Sequence, residues 1–295
     1  MAGRHRELTG SGKLPLVAPE PGEVAPPQRR DVGLLRHLAA IDVLGLFGLV
    51  LLMLVWWALA HVVPTTALPW PQSVAARIAR DFFSAPEMAM FGVGKNGLLA
   101  NLIYTAENVL IAVTIGSLVG SLAGLTSARI ELVRAMIDPI VLTAGTIPIL
   151  VTAPFFLIWF GVNRGSALLL VALYVSTILY LFAQRAANNL DPVYEDEART
   201  LGASQSRIIR DLLIPGTLPE VLAGIRIALA GAWGLEAIAE LLGSQVGLGK
   251  IIQVMAQQTD AEGILAAIIV LGAAAVLFDT LAAYGTRTLT RWRAG

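Results

Sequence analysis

Cysteine is absent from this chain of 295 residues, and histidine occurs only at positions 5, 37 and 61. The lack of thiols excludes cysteine-based nucleophilic chemistry, cysteine zinc sites and iron–sulfur clusters. Charge is scarce as well, because charged residues make up 14 % of the chain and 21 basic side chains balance 21 acidic ones. A net charge of zero gives no electrostatic footprint for a nucleic-acid partner.

Apolar residues dominate the composition instead. They account for 56 % of the chain, and the mean hydropathy is +0.71. Both values lie well outside the range of soluble globular domains. The composition therefore predicts an integral membrane protein.

Six apolar stretches approach the length that a helix needs to cross a bilayer. At a rise of about 1.5 Å per residue, roughly 20 residues cross a hydrocarbon core about 30 Å thick. Residues 218–242 carry Arg226, Glu236 and Glu240, so a charge-free window misses this stretch. The uncharged stretches are 43–63, 108–127, 139–163, 165–184 and 263–278. We expect an all-α, polytopic membrane protein with about six transmembrane helices.

The first 35 residues differ in composition from the rest. Prolines are frequent there among scattered charges, and large apolar side chains are few. Such a segment cannot bury enough apolar surface to offset the entropy lost on ordering. We expect a disordered cytoplasmic tail at 1–35 and a transmembrane domain at 36–295.

The orientation of the helices follows from the basic residues in the short loops, because lysine and arginine are retained on the cytoplasmic side. Six helices place both termini on one side. The basic residues flanking the helices on that side are Arg29, Arg30, Arg36, Arg129, Arg134, Arg185, Arg199, Arg207, Arg210, Arg287, Arg291 and Arg293. Those on the opposite side are Arg77, Arg80, Lys95, Arg164 and Lys250. The excess predicts cytoplasmic termini and a cytoplasmic loop at 191–215.

The loop at 191–215 has the pattern of two short helices. Asp191 and Pro192 suit the N-cap and first position of a helix, and Gly202 suits a left-handed residue at its end. A second helix then runs to Pro215, so we expect an amphipathic helical hairpin. Its apolar positions are Tyr194, Ala198, Leu201, Ile208 and Leu212. For an isolated example, a helix lying on the membrane surface is the alternative.

This loop resembles the cytoplasmic signature of the permease subunits of binding-protein-dependent ABC importers. That signature is Glu-Ala-Ala, three residues, Gly, nine residues and Ile-x-Leu-Pro. The residues that match it here, with every spacing kept, are Asp196, Glu197, Ala198, Gly202, Leu212, Ile214 and Pro215. Glu197 departs from the pattern, since the family favours alanine there. The resemblance implies that Asp196, Glu197, Ala198, Leu201, Gly202, Ala203 and Pro215 couple the chain to an ATPase.

Other patches resemble the nitrate/sulfonate/taurine branch of this family. They include Leu68-Pro69-Trp70-Pro71, Trp159-Phe160-Gly161 and Gly247-Leu248-Gly249. The branch implies a small anion as the cargo, such as nitrate, a sulfonate, taurine or bicarbonate. Related permeases carry vitamin-precursor heterocycles, which gives the alternative cargo.

The resemblance also implies a fold and a set of partners. The fold is the type I ABC importer transmembrane domain, in the inner membrane of a bacterium. The partners are a second permease subunit, with a homodimer favoured over a heterodimer, two cytoplasmic ATPase subunits and an external solute-binding protein. No Gly-x-x-x-x-Gly-Lys-[Ser/Thr] loop occurs in the sequence, so ATP and Mg are expected in the ATPase subunits and no cofactor in this chain.

Five residues of the predicted helices are candidates for the translocation path or its gate. Pro148 and Pro154 each remove a backbone donor from the third helix, which favours either a path-facing break or a packing kink. Arg226, Glu236 and Glu240 are ionisable residues within a helix, which are usually functional or paired.

The positions of these ionisable residues give finer expectations. Arg226 lies too far along the axis from Glu236 for a direct pair, so its partner must lie elsewhere. Glu240 is expected near the outer end of its helix, in a structural hydrogen-bond network. Glu107 and Asp279 are expected at helix ends, solvated or capping.

Two other classes of protein are weaker interpretations of the sequence. A membrane-embedded enzyme would need a cluster of His, Asp, Glu or Ser groups converging in the bilayer, and the sequence shows no such cluster. An ion-coupled secondary transporter would be favoured by inverted repeats and midplane carboxylates. It would also leave the signature in the 191–215 loop without a role.

Overall fold

The computed structural model describes residues 43–94 and 96–291, and its regular structure there is helical. The helices in chain order are α1 (Val43–Val62), α2 (Pro71–Asp81), α3 (Pro86–Met90), α4 (Leu98–Arg129), α5 (Glu131–Thr146), α6 (Ile149–Phe160), α7 (Arg164–Asn188), α8 (Pro192–Thr200), α9 (Gln205–Ile208), α10 (Ile214–Gly243), α11 (Leu248–Gln257) and α12 (Ala261–Leu289). The predicted tail at 1–35 lies outside the described residues, as do Arg36, Lys95 and Arg293.

Five stretches of helix are long and apolar enough to cross a membrane. They are α1, α4, α7, the run from α9 through α10, and α12. A sixth span arises if α5 and α6, which meet at a bend of 107°, are taken together. The prediction of an all-α, polytopic membrane protein with about six spans is confirmed.

The third predicted span is two helices rather than one. Proline has no backbone N–H to donate, and Pro148 stands at the N-cap of α6, directly at the bend. Pro154 lies inside α6. At about 1.5 Å per residue, neither helix alone crosses a core of roughly 30 Å.

Helices α4 and α7 pack with their backbones in close contact. Gly116, Gly120 and Gly124, spaced four residues apart on α4, face the carbonyl oxygens of α7. A Cβ atom on Gly120 would lie 2.3 Å from the oxygen of Ser176, and one on Gly124 would lie 2.4 Å from that of Tyr180. Small residues at this spacing allow membrane helices to approach closely, so α4 and α7 form a tightly joined pair.

Helix α10 completes the main core against this pair. Val109 of α4, Leu170 and Leu179 of α7, and Leu229 and Trp233 of α10 are buried together. A second apolar cluster joins α3, α11 and α12 through Met88, Leu248, Ile251 and Ala267, among others. The outer faces carry exposed large apolar side chains, which suit lipid or a partner subunit.

The sequence pattern predicts that the second helix of the loop ends at Pro215, but in the structure this helix continues past it. Helix α9 continues through a π-helical segment, Ile209–Leu213, directly into α10. A proline clashes with the carbonyl four residues before it and lacks an N–H, and the wider π turn ahead of Pro215 accommodates both effects. The loop is therefore one separate helix, α8, followed by the extended start of α10.

Candidate functional site

Helix α8 has the caps that its sequence predicts. The Asp191 side chain accepts a hydrogen bond from the backbone N–H of Val193 at 3.0 Å, and Pro192 is the first helical residue. At the other end Gly202 has a φ of +79°, in the left-handed region. The N–H of Ala203 donates to the oxygen of Ala198, and that of Gly202 to the oxygen of Arg199, both at 2.9 Å. This closed end confirms the prediction that Gly202 ends the helix in the left-handed conformation.

The surface of α8 is open to a partner. None of its residues is buried. Val193, Tyr194 and Leu201 are exposed although they are large and apolar, and Leu201 is 87 % exposed. Asp196 and Glu197 are exposed beside them. Exposed apolar groups that are rimmed by charge are typical of a protein–protein contact surface.

The other predicted coupling residues lie closer to the spans. Ala198 and Ala203 are half-buried at the base of α8. Pro215 lies in the first turn of α10 and is half-buried. The structure thus brings Asp196, Glu197 and Leu201 to one surface and places Pro215 at the root of a span.

One ion pair between α8 and the spans was missed by the sequence analysis. Arg129 Nη2 lies 2.6 Å from Glu195 Oε1. Arg129 is the last residue of α4, and Glu195 is in the first turn of α8. Sequence patterns mark both as charged residues near helix ends, but 66 positions separate them along the chain, and only the fold brings them together.

Glu236 belongs to a polar chain that joins three helices. Its Oε1 accepts a hydrogen bond from Asn108 Nδ2 at 2.7 Å, and Asn108 Oδ1 accepts one from Arg164 Nε at 2.7 Å. Asn108 and Glu236 are buried, whereas Arg164 is half-exposed and stacks over the Tyr104 ring at 5.1 Å. Glu236 Oε2 is buried and has no hydrogen-bond partner among the described residues.

These residues line a cavity of about 210 Å³ at one end of the spans. Glu240 and Leu157 also contribute to its wall, so α4, α6, α7 and α10 meet there. A buried carboxylate beside a guanidinium is able to hold a polar or charged guest. Of the predicted path residues, Glu236 and Glu240 share this cavity.

Glu240 has the structural role that its position predicts. Its carboxylate accepts hydrogen bonds from Thr105 Oγ1 at 2.8 and 3.0 Å and from the N–H of Gly249 at 2.9 Å. Asn101 Oδ1 accepts from the N–H of Gly247 at 2.8 Å. A Cβ atom on Gly247 would lie 2.2 Å from the Glu240 carboxyl carbon, so glycine is required there. The network fixes the start of α11 against α4 and α10.

Arg226 of α10 pairs with Asp279 of α12, so its partner lies on another helix, as expected. Two hydrogen bonds of 3.0 and 2.8 Å join the guanidinium to the carboxylate. The prediction that Asp279 lies at a helix end, solvated or capping, is wrong about its place, because Asp279 lies inside α12 with its side chain 41 % exposed. An uncharged apolar run ends just before it, which gives the impression of a helix end in the sequence.

Glu107 is also placed wrongly by the sequence pattern. It lies inside α4, and its Oε2 is 3.4 Å from Arg164 Nη2. The helix begins at Leu98, ten residues before the apolar stretch that starts at position 108, because polar residues of its first turns pack against α10 and α11.

The sequence of this chain is similar to those of known transport proteins. The family of binding-protein-dependent transport system inner membrane components matches residues 116–291. The taurine transport system permease protein TauC of Escherichia coli (strain K12) is 30 % identical over 84 % of this chain and 89 % of its own. A putative aliphatic sulfonates transport permease protein, SsuC of Bacillus subtilis (strain 168), is 30 % identical over 79 % and 80 %. A bicarbonate transport system permease protein, CmpB of Synechococcus elongatus, is 28 % identical over 89 % and 94 %.

Two solved structures share the fold. An inward-facing MetNI methionine ABC transporter matches with a TM-score of 0.57 and 20 % identity, over 65 % of this chain and 96 % of the other. A bacterial alginate ABC transporter, in complex with its alginate-bound periplasmic protein, matches with a TM-score of 0.55 and 14 % identity, over 83 % and 94 %. Since the family covers more than half of the chain, this protein belongs to the binding-protein-dependent transport system inner membrane components, the permease subunits of ABC importers.

Proposed function

We propose that this permease subunit carries a small anion, such as a sulfonate, taurine, nitrate or bicarbonate. The observation that carries the proposal is that three of the relatives are named for taurine, aliphatic sulfonates and bicarbonate. The half-exposed Arg164 at the cavity supports it, since a cationic group attracts an anion toward the mouth of a cleft.

Uptake by the reconstituted importer with its cognate binding protein tests the cargo. Taurine, an alkanesulfonate, nitrate and bicarbonate are supplied in turn, with a pyrimidine and a flavin as the comparison set. We expect uptake of at least one anion and none of the heterocycles. Transport of a pyrimidine or flavin, with no response to the anions, would remove the anion proposal and favour a vitamin-precursor permease.

The proposed assembly contains two permease subunits, taken as a homodimer, with two ATPase subunits that bind ATP and Mg, and an external binding protein. We place the ATPase contact on α8, at Asp196, Glu197, Ala198, Leu201, Gly202 and Ala203. The exposed apolar side chains of α8 support this contact. Pro215 then acts at the root of α10, where a displacement of the loop enters a span.

We assign different roles to the path-related residues. Pro148 and Pro154 shape the bent α5–α6 pair, whose Leu157 reaches the cavity wall. Arg164 is proposed to face the cargo, and Glu236 lines the cavity behind it and orients it through Asn108. Glu240 holds the start of α11. Arg226 and Asp279 are half-exposed within spans, and such charges face water or protein rather than lipid.

A further inference from the structure

Helix α8 is weakly attached to the rest of the molecule. Residues 189–191 connect it to α7 and residues 201–204 connect it to α9. None of its residues is fully buried, so apolar packing contributes little to holding it in place. Among the described side chains, two links join it to other helices: an ion pair from Glu195 to Arg129 of α4 at 2.6 Å, and a hydrogen bond of 3.4 Å that Arg199 donates to Gln205 of α9. The ion pair is the one that reaches a membrane-spanning helix.

This ion pair is more enclosed than an ordinary surface pair. The Glu195 side chain is 17 % exposed and that of Arg129 is 30 % exposed. Exposed pairs contribute little because water screens them and the side chains lose entropy, and partial burial weakens the screening. Glu195 differs in this respect from Asp196 and Glu197, which are exposed and remain open to a partner.

Arg129 lies where a displacement of α8 can be transmitted to α4. It ends α4, where a cation is favoured by the partial negative charge of the helix C-terminus. Further along α4, Gly116, Gly120 and Gly124 hold the helix against the backbone of α7 without intervening side chains. A displacement applied at Arg129 therefore reaches α7 as well as α4, because the backbones of the two helices are in close contact along this face.

We propose that the Arg129–Glu195 ion pair fastens α8 to the α4–α7 pair, so that a movement imposed on α8 by the ATPase is transmitted to both spans. The proposal rests on the contact between α8 and the ATPase under the proposed function. Arg129 and Glu195 are positioning residues, because they touch neither the cargo nor the nucleotide. Without the pair, α8 follows the ATPase while its flanking linkers bend, and the spans lag behind.

A distance measurement in the complete importer tests this directly. The native chain has no cysteine, so spin labels can be placed at Thr200→Cys on α8 and Leu122→Cys on α4, both at exposed positions. Distances are recorded without nucleotide and with ATP, using ATPase subunits that bind ATP without hydrolysing it. In the otherwise native protein we expect the same narrow distribution in both states, since α8 and α4 move together.

Charge reversal separates the ion pair from a general structural effect. Arg129→Glu and Glu195→Arg should each make the distance change with ATP, and the double variant, which restores opposite charges, should return it to the native behaviour. Arg210→Glu is the matched control, because Arg210 pairs with its neighbour Asp211 at an exposed site and joins no two helices. It should leave the distances unchanged.

The same samples report whether the ATPase is bound. Co-purified ATPase at native levels in the single variants, together with at least tenfold slower cargo uptake, would support a loss of transmission. Native distances and uptake in both single variants would overturn the proposal, as would a double variant that binds the ATPase but is not restored. Failure of the permease with its native Arg129 and Glu195 to co-purify with the ATPase would instead overturn the proposed contact between α8 and the ATPase.

Discussion

At the residue scale, Gly202 sets both the end of α8 and the shape of its exposed surface. Its φ of +79° disfavours any residue with a Cβ by roughly 1 kcal/mol or more, although a Cβ there would meet no atom within 4 Å. The expected damage is therefore local to α8 and to whatever binds it. The spans should still insert, because Gly202 lies in a loop outside their apolar cores.

Gly202→Asp should consequently impair coupling more than expression. We expect normal amounts of protein in the membrane, with the ATPase lost on purification or no longer stimulated by the loaded binding protein. Gly202→Asn is the matched control, since asparagine tolerates the left-handed region and carries no charge. Native uptake by Gly202→Asp would mean that α8 does not couple the chain to the ATPase.

The sequence predicts the caps of α8 because Asp191, Pro192 and Gly202 act on their nearest neighbours. It does not predict that Arg226 pairs with Asp279, or Arg129 with Glu195, because these partners meet through helix packing across 53 and 66 positions. The buried hydrogen bond from Asn108 to Glu236 is likewise a product of packing. Local chemistry is thus visible in the sequence, and partner choice is not.

At the element scale, the close contact of α4 with α7 is the feature most sensitive to side-chain size. A valine at Gly120 would force its Cβ to within 2.3 Å of the Ser176 oxygen. Overpacking of this kind costs typically about 1–3 kcal/mol and separates the helices. We expect Gly120→Val to lower the thermal stability of the purified protein and to reduce uptake.

The control for this change is Gly272→Ala in α12. A Cβ atom at Gly272 would meet nothing within 4 Å, so the added methyl group should leave stability unchanged or raise it slightly, since alanine is the better helix former. Thermal unfolding of both variants in the same detergent gives the comparison. Equal midpoints for Gly120→Val and the native protein would show that α4 and α7 are not held by this contact.

The helices also show which features of the fold a sequence pattern predicts and which it misses. Hydropathy finds α1, α4, α7, α10 and α12, because each needs a long apolar surface to cross the bilayer. It merges α5 with α6, since an apolar run does not reveal the 107° bend. The sequence pattern also ends the α9 helix at Pro215. The π-helical segment Ile209–Leu213, which accommodates this proline within a continuous helix, cannot be recognised from the residue pattern.

At the scale of the whole molecule, the orientation in the membrane follows from charge. The proposed arrangement places α8 in the cytoplasm and the cavity of Glu236 toward the outside, because basic residues are more frequent on the α8 side. Single cysteines in the cysteine-free native chain report this. A membrane-impermeant reagent applied to intact cells should label Lys250→Cys and leave Arg207→Cys unlabelled until the cells are opened. The reverse pattern would invert the topology.

The central claim is that this chain moves its cargo only as part of an ATP-driven complex. The measurement that tests it most directly is uptake into vesicles that contain the permease, the ATPase subunits and the binding protein, with and without ATP and with an ATPase variant that cannot hydrolyse it. We predict uptake that requires ATP hydrolysis and the loaded binding protein and that is independent of an ion gradient. Uptake that continues without ATP and follows a proton or sodium gradient would contradict the account and identify a secondary transporter.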